Sequence, residues 1–381
     1  MARIIVASYV VRMPVGGYQS WMLQWLVGFQ RLGHEVWFVE KSGWPGSCID
    51  PATWVKSDDC SRGTAAWRSL LARFGLENNW CYVDAAGRYH GVSREKIESV
   101  FRGADVFIDH MRDCEWEEEA QSAKLRVMVD GEPALTQMRM ENRRAAGLHL
   151  MEYDFYYSVG LNMGNGRSTA PTAGKQWRPI FDPVVVDLFP NEPPPAGAPF
   201  TTIMTWQAHA PMVYQGVTYE SKKAEFPKFM DLPLRTTVPL ELAVGGENLP
   251  TEALLEHGWR LRDPGRATIT YDIWRDYISS SLGEFGVCKN YFVATNCGAF
   301  SERSAAYLAS GRPVVTQETG FSAHLPCGRG LFAVASVEEA AAAIEEIRSH
   351  YELHSKCARE IAAEYLRTDK VLKRLLHGIG I

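Results

Sequence analysis

The first forty residues pair two apolar runs with a segment of helical periodicity. Residues 3–10 and 35–39 are short apolar runs typical of buried strands. Between them, residues 18–32 repeat apolar positions every three or four residues, and Gly33 is a suitable helix stop. The apolar face of this helix consists of Trp21, Met22, Trp25, Leu26, Phe29 and Leu32. A strand, a helix and a strand in this order predict a βαβ unit and therefore a parallel sheet.

The same periodicities continue to the end of the chain in two series. The first series predicts helices at residues 65–74 and 93–101 and strands at residues 105–109, 125–130 and 155–159. The second predicts strands at residues 200–205, 291–295 and 313–316 and helices at residues 279–287, 302–310, 336–350 and 353–376. Proline-rich residues 191–199 between the series are typical of a linker. We therefore predict an α/β fold of two facing Rossmann-like domains with an interdomain cleft.

Composition excludes several classes of protein. A net charge of −5 without a basic stripe argues against nucleic acid as a partner. No run reaches the roughly 18–20 apolar residues of a membrane span, and residues 1–40 lack a signal-peptide pattern. The eight cysteines include no C-x-x-C pair and the histidines are scattered, so neither zinc nor disulfides are indicated. We expect a cytoplasmic protein that needs no metal or cofactor.

Residues 298–331 carry the strongest chemical signal. A predicted strand ends near residue 295, the loop at Gly298 follows, and Ser301 stands where a helix N-cap belongs. Ligands bind beyond the carboxyl ends of parallel strands, and free N–H groups at a helix N-terminus suit a diphosphate. Arg303 and Ser304 in the first turn add charge and a hydroxyl group. The segment therefore predicts a diphosphate site.

The same segment resembles a known family. Residues 306–315 (AYLASGRPVV) are similar to the E-A-M-A-x-G-x-P-V-V segment of nucleotide-sugar glycosyltransferases of the GT-B fold. The wider pattern resembles an uncharacterised bacterial group of these enzymes, and the resemblance covers most of the chain. Its other matching positions are Gly16, Gly17, residues 32–36, Thr205, Trp206, Tyr219, Lys222, Glu225, Phe226, residues 231–233, Gly258, Trp259, Ser281, Glu284, Phe285, Lys289, Glu302, residues 317–321, Leu325, Pro326, Gly330 and Leu331.

The resemblance implies a metal-independent glycosyltransferase that moves a sugar from a nucleoside-diphosphate sugar to a small-molecule or glycan acceptor. An acceptor domain would span residues 1–190 and a donor domain residues 200–358, with a final helix at about 360–381 packing back on the first. A homodimer is compatible with this organisation. The residues expected to bind the donor are Lys222, Lys289, Gly298, Phe300, Ser301, Arg303, Ser304, Thr319 and Gly320. Lys223, next to Lys222, is a weaker candidate.

One departure from the family concerns the stereochemistry. Retaining relatives carry E-x7-E, and Gly298 and Ala306 occupy those two positions here. Glu302 is the nearest carboxylate, but it is out of register. The course of the reaction, the nucleotide, the sugar and the acceptor are therefore all left open.

The first domain supplies the candidate cleft loop and base. Gly16 and Gly17 follow the first strand, so their backbone is expected to face the cleft. An inverting transfer needs a group that takes the acceptor proton. Glu132 and Asp130 are preferred, His110 follows, and Asp109 and Asp113 are further acids near strand ends.

Three other functions are compatible with the sequence. An epimerase or phosphorylase of the same fold would use the same nucleotide site. A sugar-nucleotide binding protein without activity would need no base. A nicotinamide-dependent oxidoreductase would use Glu40 at the end of the second strand to bind a ribose, but the first turn lacks G-x-G-x-x-G.

Overall fold

The computed structural model describes residues 1–110 and 115–381, so Asp113 lies outside the described residues. The first half of the chain forms an eight-stranded sheet in the order β10-β9-β8-β7-β1-β2-β5-β6, in which β6 alone is antiparallel to its neighbour. Its strands, with the separate β3–β4 ribbon, are β1 (Arg3–Ala7), β2 (Glu35–Lys41), β3 (Cys48–Ile49), β4 (Lys56–Ser57), β5 (Trp80–Val83), β6 (Tyr89–Gly91), β7 (Val106–Asp109), β8 (Leu125–Asp130), β9 (Phe155–Ser158) and β10 (Trp177–Pro179). The helices are α1 (Gly16–Arg31), α2 (Ser61–Ala72), α3 (Arg94–Arg102), α4 (Glu117–Ala120) and α5 (Leu135–Ala145), followed by a 3-10 turn at Val186–Leu188.

The second half forms a six-stranded parallel sheet in the order β15-β14-β11-β16-β17-β18. Its strands, with the separate β12–β13 hairpin, are β11 (Phe200–Thr205), β12 (Met212–Tyr214), β13 (Val217–Tyr219), β14 (Leu240–Gly245), β15 (Arg260–Arg262), β16 (Gly283–Gly286), β17 (Val314–Gln317) and β18 (Leu331–Val334). The helices are α6 (Thr251–Glu256), α7 (Pro264–Thr268), α8 (Tyr271–Ser279), α9 (Asn290–Ala294), α10 (Glu302–Ala309), α11 (Val337–Ser349), α12 (Tyr351–Ile361) and α13 (Thr368–Gly378). Shorter turns lie at Lys222–Ala224, Phe226–Phe229, Leu232–Leu234, Phe321–Ala323 and Ala362–Leu366. Two largely parallel sheets with helices confirm the predicted fold class.

Two predicted elements between residues 279 and 295 are wrong. The predicted helix at 279–287 is the end of α8 followed by β16, and the predicted strand at 291–295 is α9. The sequence of β16 is not recognisable as a strand, because two glycines flank Glu284 and Phe285 and leave no hydrophobic run. The aromatic residues of α9 favour a strand locally, but here they form a short helix, at whose end the Thr295 hydroxyl donates to the Tyr291 carbonyl at 2.6 Å.

The end of the chain crosses between the halves. The predicted helix at 353–376 is interrupted after Ala362–Leu366, and Arg367 there pairs with Val184 in an isolated parallel bridge. Beyond this break, α13 packs against α1, and its apolar side chains join the core of the first half. The Ser336 hydroxyl accepts from the Glu339 N–H at 3.2 Å, which gives α11 its predicted N-terminal cap.

Helix α2 approaches the loop after β1 so closely that only glycine fits at one point. A Cβ atom on Gly63 would lie 2.0 Å from the Val11 carbonyl oxygen. A backbone atom cannot move aside as a flexible side chain can. The absence of a side chain at Gly63 therefore sets the distance between α2 and that loop.

We expect the Gly63→Ala substitution to destabilise the protein by about 1–3 kcal/mol, because overpacking outweighs the roughly 1 kcal/mol gain in helix propensity. Chemical unfolding measures the change. Gly17→Ala is the matched control, since its added Cβ would make an ordinary contact 3.5 Å from Trp274. Unchanged or higher stability of Gly63→Ala would show that the loop yields.

Candidate functional site in the interdomain cleft

Each sheet has one place where its strand order reverses. In the first sheet, the chain builds outward from β1 in one direction and returns to the other side of β1 with β7. In the second, it builds outward from β11 and returns with β16. Crevices beyond the carboxyl ends of strands at such points are the usual ligand sites of open α/β sheets. The candidate site therefore involves the ends of β1 and β7 and of β11 and β16.

A buried ion pair anchors the second of these crevices. The Arg303 Nε donates to Glu284 Oε1 at 2.6 Å, and its Nη1 donates to the Ile203 carbonyl at 2.8 Å. Glu284 is fully buried in β16 and Ile203 belongs to β11. Arg303 thus joins the start of α10 to both strands. The sequence predicts a guanidinium available to the donor, whereas the structure gives it these two protein partners.

Lys222 lies beside Arg303 without a partner of its own. Among the described residues, no hydrogen bond or ion pair reaches its Nζ atom, while the adjacent Lys223 lies 3.4 Å from Glu220. Burial, followed by repulsion from Arg303 and then Lys289, lowers the pKa of Lys222 to about 7. An ammonium group in these surroundings lacks an anion.

Lys289 spans the cleft. Its Nζ pairs with Glu132 Oε1 on the turn after β8, and the Tyr291 hydroxyl donates to Glu132 Oε2 at 2.7 Å. His209 Nε2 lies 3.7 Å from the same carboxylate. Burial favours a raised pKa at Glu132, but Lys289 and these hydrogen bonds outweigh it and hold the pKa well below its usual range. The preferred base is therefore an ionised carboxylate that already binds a cation.

Asp130 and His110, the next candidates for the base, occupy different surroundings. Asp130 is buried, and it accepts from the Glu132 N–H at 2.9 Å and from Gln137 and Ser158 at 2.8 Å each. These bonds shape the turn that carries Glu132. Both nitrogens of His110 lack a hydrogen-bond partner among the described residues, and burial lowers its pKa to about 3, so its ring is neutral.

An aromatic wall surrounds His110 at the first crevice. Its ring lies edge-on to Trp21 and Trp25 at centroid distances of 5.1 and 4.4 Å. The Tyr9 and Tyr18 rings lie 4.9 Å apart, and Tyr9 contacts Trp21 at 6.2 Å. The sequence places Trp21 in the core because it shares the apolar face of α1. In the structure it is only partly buried, which periodicity alone does not reveal.

Asp182 is a further residue that the sequence analysis missed. It accepts from Trp21 Nε1 at 2.7 Å and is buried. Burial, followed by the charge of Glu302 on α10, raises its pKa to about 7. No motif surrounds Asp182, so its meeting with Glu302 follows only from the packing of the two halves.

The glycine pair after β1 begins α1 rather than a separate loop. A Cβ on Gly16 would lie 2.2 Å from the Thr270 carbonyl oxygen. Gly17, Trp274 and Glu302 line a cavity between the halves with room for about one water molecule. Gly16 and Gly17 thus lie where the halves meet.

Backbone hydrogen bonds join the halves along a seam formed by residues 160–162 and 296–299. Gly160 and Ala299 form an isolated antiparallel bridge, and the Asn162 N–H donates to the Cys297 carbonyl at 3.0 Å. The Asn162 side chain donates to the Asn296 carbonyl at 3.0 Å and lies 2.8 Å from His324 Nε2. This seam fixes one edge of the cleft.

Several of the residues that the sequence predicts to bind the sugar donor support this seam instead. The Gly298 N–H donates to the Thr319 carbonyl at 2.6 Å, and the Thr319 hydroxyl donates to Ala299 at 2.7 Å. The N–H groups of Thr319 and Gly320 both donate to Glu318 rather than being open to a phosphate.

The other residues predicted to bind the sugar donor lie at the start of α10. Phe300 is buried against Phe321, with ring centroids 5.3 Å apart. The Ser301 hydroxyl caps α10 by accepting from the Arg303 N–H at 3.2 Å, and Ser304 is buried. The capping role of Ser301 agrees with the sequence, whereas the buried Ser304 points to a packing role.

Glu40 has a structural role that leaves no room for a ribose. Its carboxylate is fully buried and accepts from the N–H groups of Val10, Val11 and Arg12 at 2.7–2.9 Å. The Arg12 Nε donates to it at 3.1 Å. The carboxylate organises the loop after β1 and does not present an acid to a dinucleotide.

The depressed pKa of Lys222 predicts a specific pH dependence. Between pH 7 and about 10, the unfolded chain binds a proton at Lys222 that the folded chain does not, so this residue makes stability rise with pH. We expect Lys222→Met to be more stable than the wild type at pH 7 and to lose this advantage by pH 10. Urea unfolding at both pH values measures the change.

Lys223→Met is the matched control, since it removes the same charge from the adjacent residue. Equal pH dependence in the wild type and Lys222→Met would contradict an uncompensated ammonium at this partly buried position.

No protein-family model matches the chain, and no curated protein matches it in sequence. None of the described helices is long and apolar enough to cross a membrane. Solved structures that are similar over the full chain include the following three. An alpha-glucosyltransferase in complex with UDP has a TM-score of 0.59 at 12% identity, with 100% of both chains covered. Sucrose-phosphate synthase from Thermosynechococcus elongatus has a TM-score of 0.56 at 14% identity, again with 100% of both chains covered.

HepE from Anabaena in complex with UDP-glucose has a TM-score of 0.55 at 10% identity, with 100% of this chain and 99% of that chain covered. At these identities the similarity establishes the fold. The chain therefore has the GT-B fold of two Rossmann-like domains that the sequence predicts.

Proposed function

We propose that this protein transfers a sugar from a nucleoside-diphosphate sugar to an acceptor held by the first domain. The observation that carries the proposal is the unpartnered ammonium of Lys222 beside Arg303, where the strand order of the second sheet reverses. A diphosphate supplies the missing anion. Its developing charge during transfer would be stabilised by groups already in place.

The surrounding charges support a donor site that works without a metal. Arg303 is fixed by Glu284 at the first turn of α10, and Lys289 lies close enough to Lys222 to lower its pKa. Lys222, the N-terminus of α10 and Lys289, once it leaves Glu132, offset the charge of a leaving diphosphate. Metal independence is part of this proposal.

The similar structures suggest which nucleotide to test first. The alpha-glucosyltransferase structure contains UDP and the HepE structure contains UDP-glucose. We infer that a UDP-sugar is the donor of this protein as well.

Glu132 is the proposed base for an inverting transfer. In the structure Lys289 neutralises it, which makes it a weak base. A bound diphosphate competes for the Lys289 ammonium, and departure of that cation raises the proton affinity of Glu132. The acceptor O–H proton then passes to Glu132, the acceptor oxygen bonds to the anomeric carbon, and the bond to the diphosphate breaks with its electron pair on the leaving oxygen. Donor binding thereby activates the base.

The first crevice supplies a surface for the acceptor. Tyr9, Tyr18 and Trp21 present partly exposed aromatic groups beside the neutral ring of His110. Apolar faces with polar edges suit the faces and hydroxyl groups of a sugar ring. We infer that the acceptor binds here, between the ends of β1 and β7.

We expect Lys222→Met to weaken UDP binding about 10–100-fold, because a charge-assisted hydrogen bond contributes about 1.5–3 kcal/mol. Calorimetry at pH 8 in buffers of different ionisation enthalpy should also show proton uptake by the wild type that this variant lacks. Lys223→Met should bind as the wild type does. Undiminished binding by Lys222→Met would place the diphosphate elsewhere.

Removing the base should affect turnover more than donor binding. We expect Glu132→Gln to lower kcat at least about 100-fold while UDP still binds. Asp272→Asn is the control. It breaks the exposed ion pair between Asp272 and Arg73, which joins the two halves as the pair of Glu132 and Lys289 does. Near-normal kcat in Glu132→Gln would assign the base to another group. Product analysis without acceptor separates transfer from epimerisation, since an epimerase converts the sugar nucleotide alone.

A further inference from the structure

Three side chains of different chemistry meet at the edge of the first sheet. Cys60 directly precedes α2, Asp84 directly follows β5, and His90 lies in β6. One donor atom from each lies within 4.8 Å of the other two. The group does not overlap the proposed sugar-transfer residues. We propose that Cys60, Asp84 and His90 bind a divalent metal ion of the zinc class.

The separations between the donor atoms suit one ion. Bonds of about 2.3 Å to sulfur and 2.0–2.1 Å to nitrogen or oxygen make tetrahedral edges of about 3.3–3.6 Å. The Cys60 Sγ lies 3.6 Å from His90 Nε2, and the same nitrogen lies 2.9 Å from Asp84 Oδ2. The first distance fits such an edge, and the second needs only a small outward movement of one side chain. A sulfur, a nitrogen and an oxygen donor favour zinc over magnesium or calcium.

The supporting contacts orient the ligands. Asp84 Oδ1 accepts from the N–H groups of Ala86 and Arg88 at 2.9 and 3.0 Å, which fixes the carboxylate and turns Oδ2 towards His90. Cys60 is buried, whereas the His90 side chain is 31% exposed. An ion can therefore enter past His90, and a water molecule can complete its coordination. Binding releases the Cys60 thiol proton to solvent, and the thiolate sulfur becomes a ligand.

The sequence gives no sign of this site. The three residues are 24 and 6 positions apart and form none of the short spacings by which zinc sites are recognised. The fold brings them together because β6 turns back antiparallel to β5, beside the start of α2. A bound ion would tie this edge hairpin to α2, the helix whose Gly63 contacts the loop after β1. We assign it a structural role.

Arg88 provides an internal test of the geometry. Its Nε donates to Asp84 Oδ2 at 2.8 Å, the oxygen that the ion would take, while its side chain is 74% exposed. The positive charge of this guanidinium repels an ion at Oδ2 and competes with it for the carboxylate. Removing Arg88 should therefore strengthen metal binding without disturbing the core.

Cobalt(II) is the probe, since a thiolate ligand gives Co²⁺ a charge-transfer absorption band. The full-length protein is stripped with a chelator and titrated with Co²⁺ and then with Zn²⁺. We expect one equivalent of Co²⁺ to produce the band and Zn²⁺ to abolish it. Cys60→Ser should lose the band, His90→Gln should weaken binding at least tenfold, and Arg88→Ala should tighten it several-fold. Cys327→Ser, which removes an exposed thiol, should behave as the wild type does.

The opposite results would overturn the assignment. They are a wild type without a saturable band, a band that survives in Cys60→Ser, or affinities unchanged in both His90→Gln and Arg88→Ala. Each would leave Asp84 and His90 as a hydrogen-bonded pair beside a buried thiol. If Cys60→Ser fails to fold, as judged by circular dichroism, the His90 and Arg88 variants decide the question because both side chains reach the surface. None of these readouts depends on glycosyl transfer.

Discussion

The ion pair between Arg303 and Glu284 is the constraint on which the second half of the molecule depends. A buried carboxylate is costly unless it is paired, and Glu284 has no exposed surface. Its partner must therefore reach the middle of the sheet, and the first turn of α10 supplies it. The same guanidinium donates to the β11 backbone. One side chain therefore holds the start of α10 against the two central strands and fixes the position of the crevice between them. Lys222 lies beside a cation that is already neutralised, and its own charge has no counterpart.

The two ends of the cleft are linked through Lys289. It lies close enough to influence Lys222 in the second half, yet it pairs with Glu132 in the first. In the proposed function, a diphosphate beside Lys222 and the Glu132 carboxylate would compete for this one cation. A single flexible side chain would then link the donor to the base without a long pathway.

Much of the fold is predictable from the sequence because most strands are recognisable as short apolar runs. The strands at Val106–Asp109, Leu125–Asp130 and Phe200–Thr205 are apolar runs of β-branched and aromatic residues bounded by turns, and the structure confirms them. The failure at residues 279–295 has an equally local cause. In the sequence, Glu284 resembles a surface residue. A buried strand is possible there only because Arg303, nineteen positions later, pairs with its carboxylate.

The candidate site was less predictable, because its contacts join distant parts of the chain. The capping role of Ser301 depends on its immediate neighbours and was recognisable. Glu132 with Lys289 and Asp182 with Glu302 are pairs that no short motif encodes. Thr319 and Gly320 match the expected donor site in sequence, but the adjacent Glu318 carboxylate accepts from both of their N–H groups.

The seam at residues 160–162 and 296–299 has a mechanical consequence. Much of it is made of main-chain atoms, so the halves cannot slide along one another there without breaking several hydrogen bonds at once. Contacts between main-chain atoms persist when most side chains are exchanged, whereas the ion pair of Lys289 with Glu132 is lost when either residue changes.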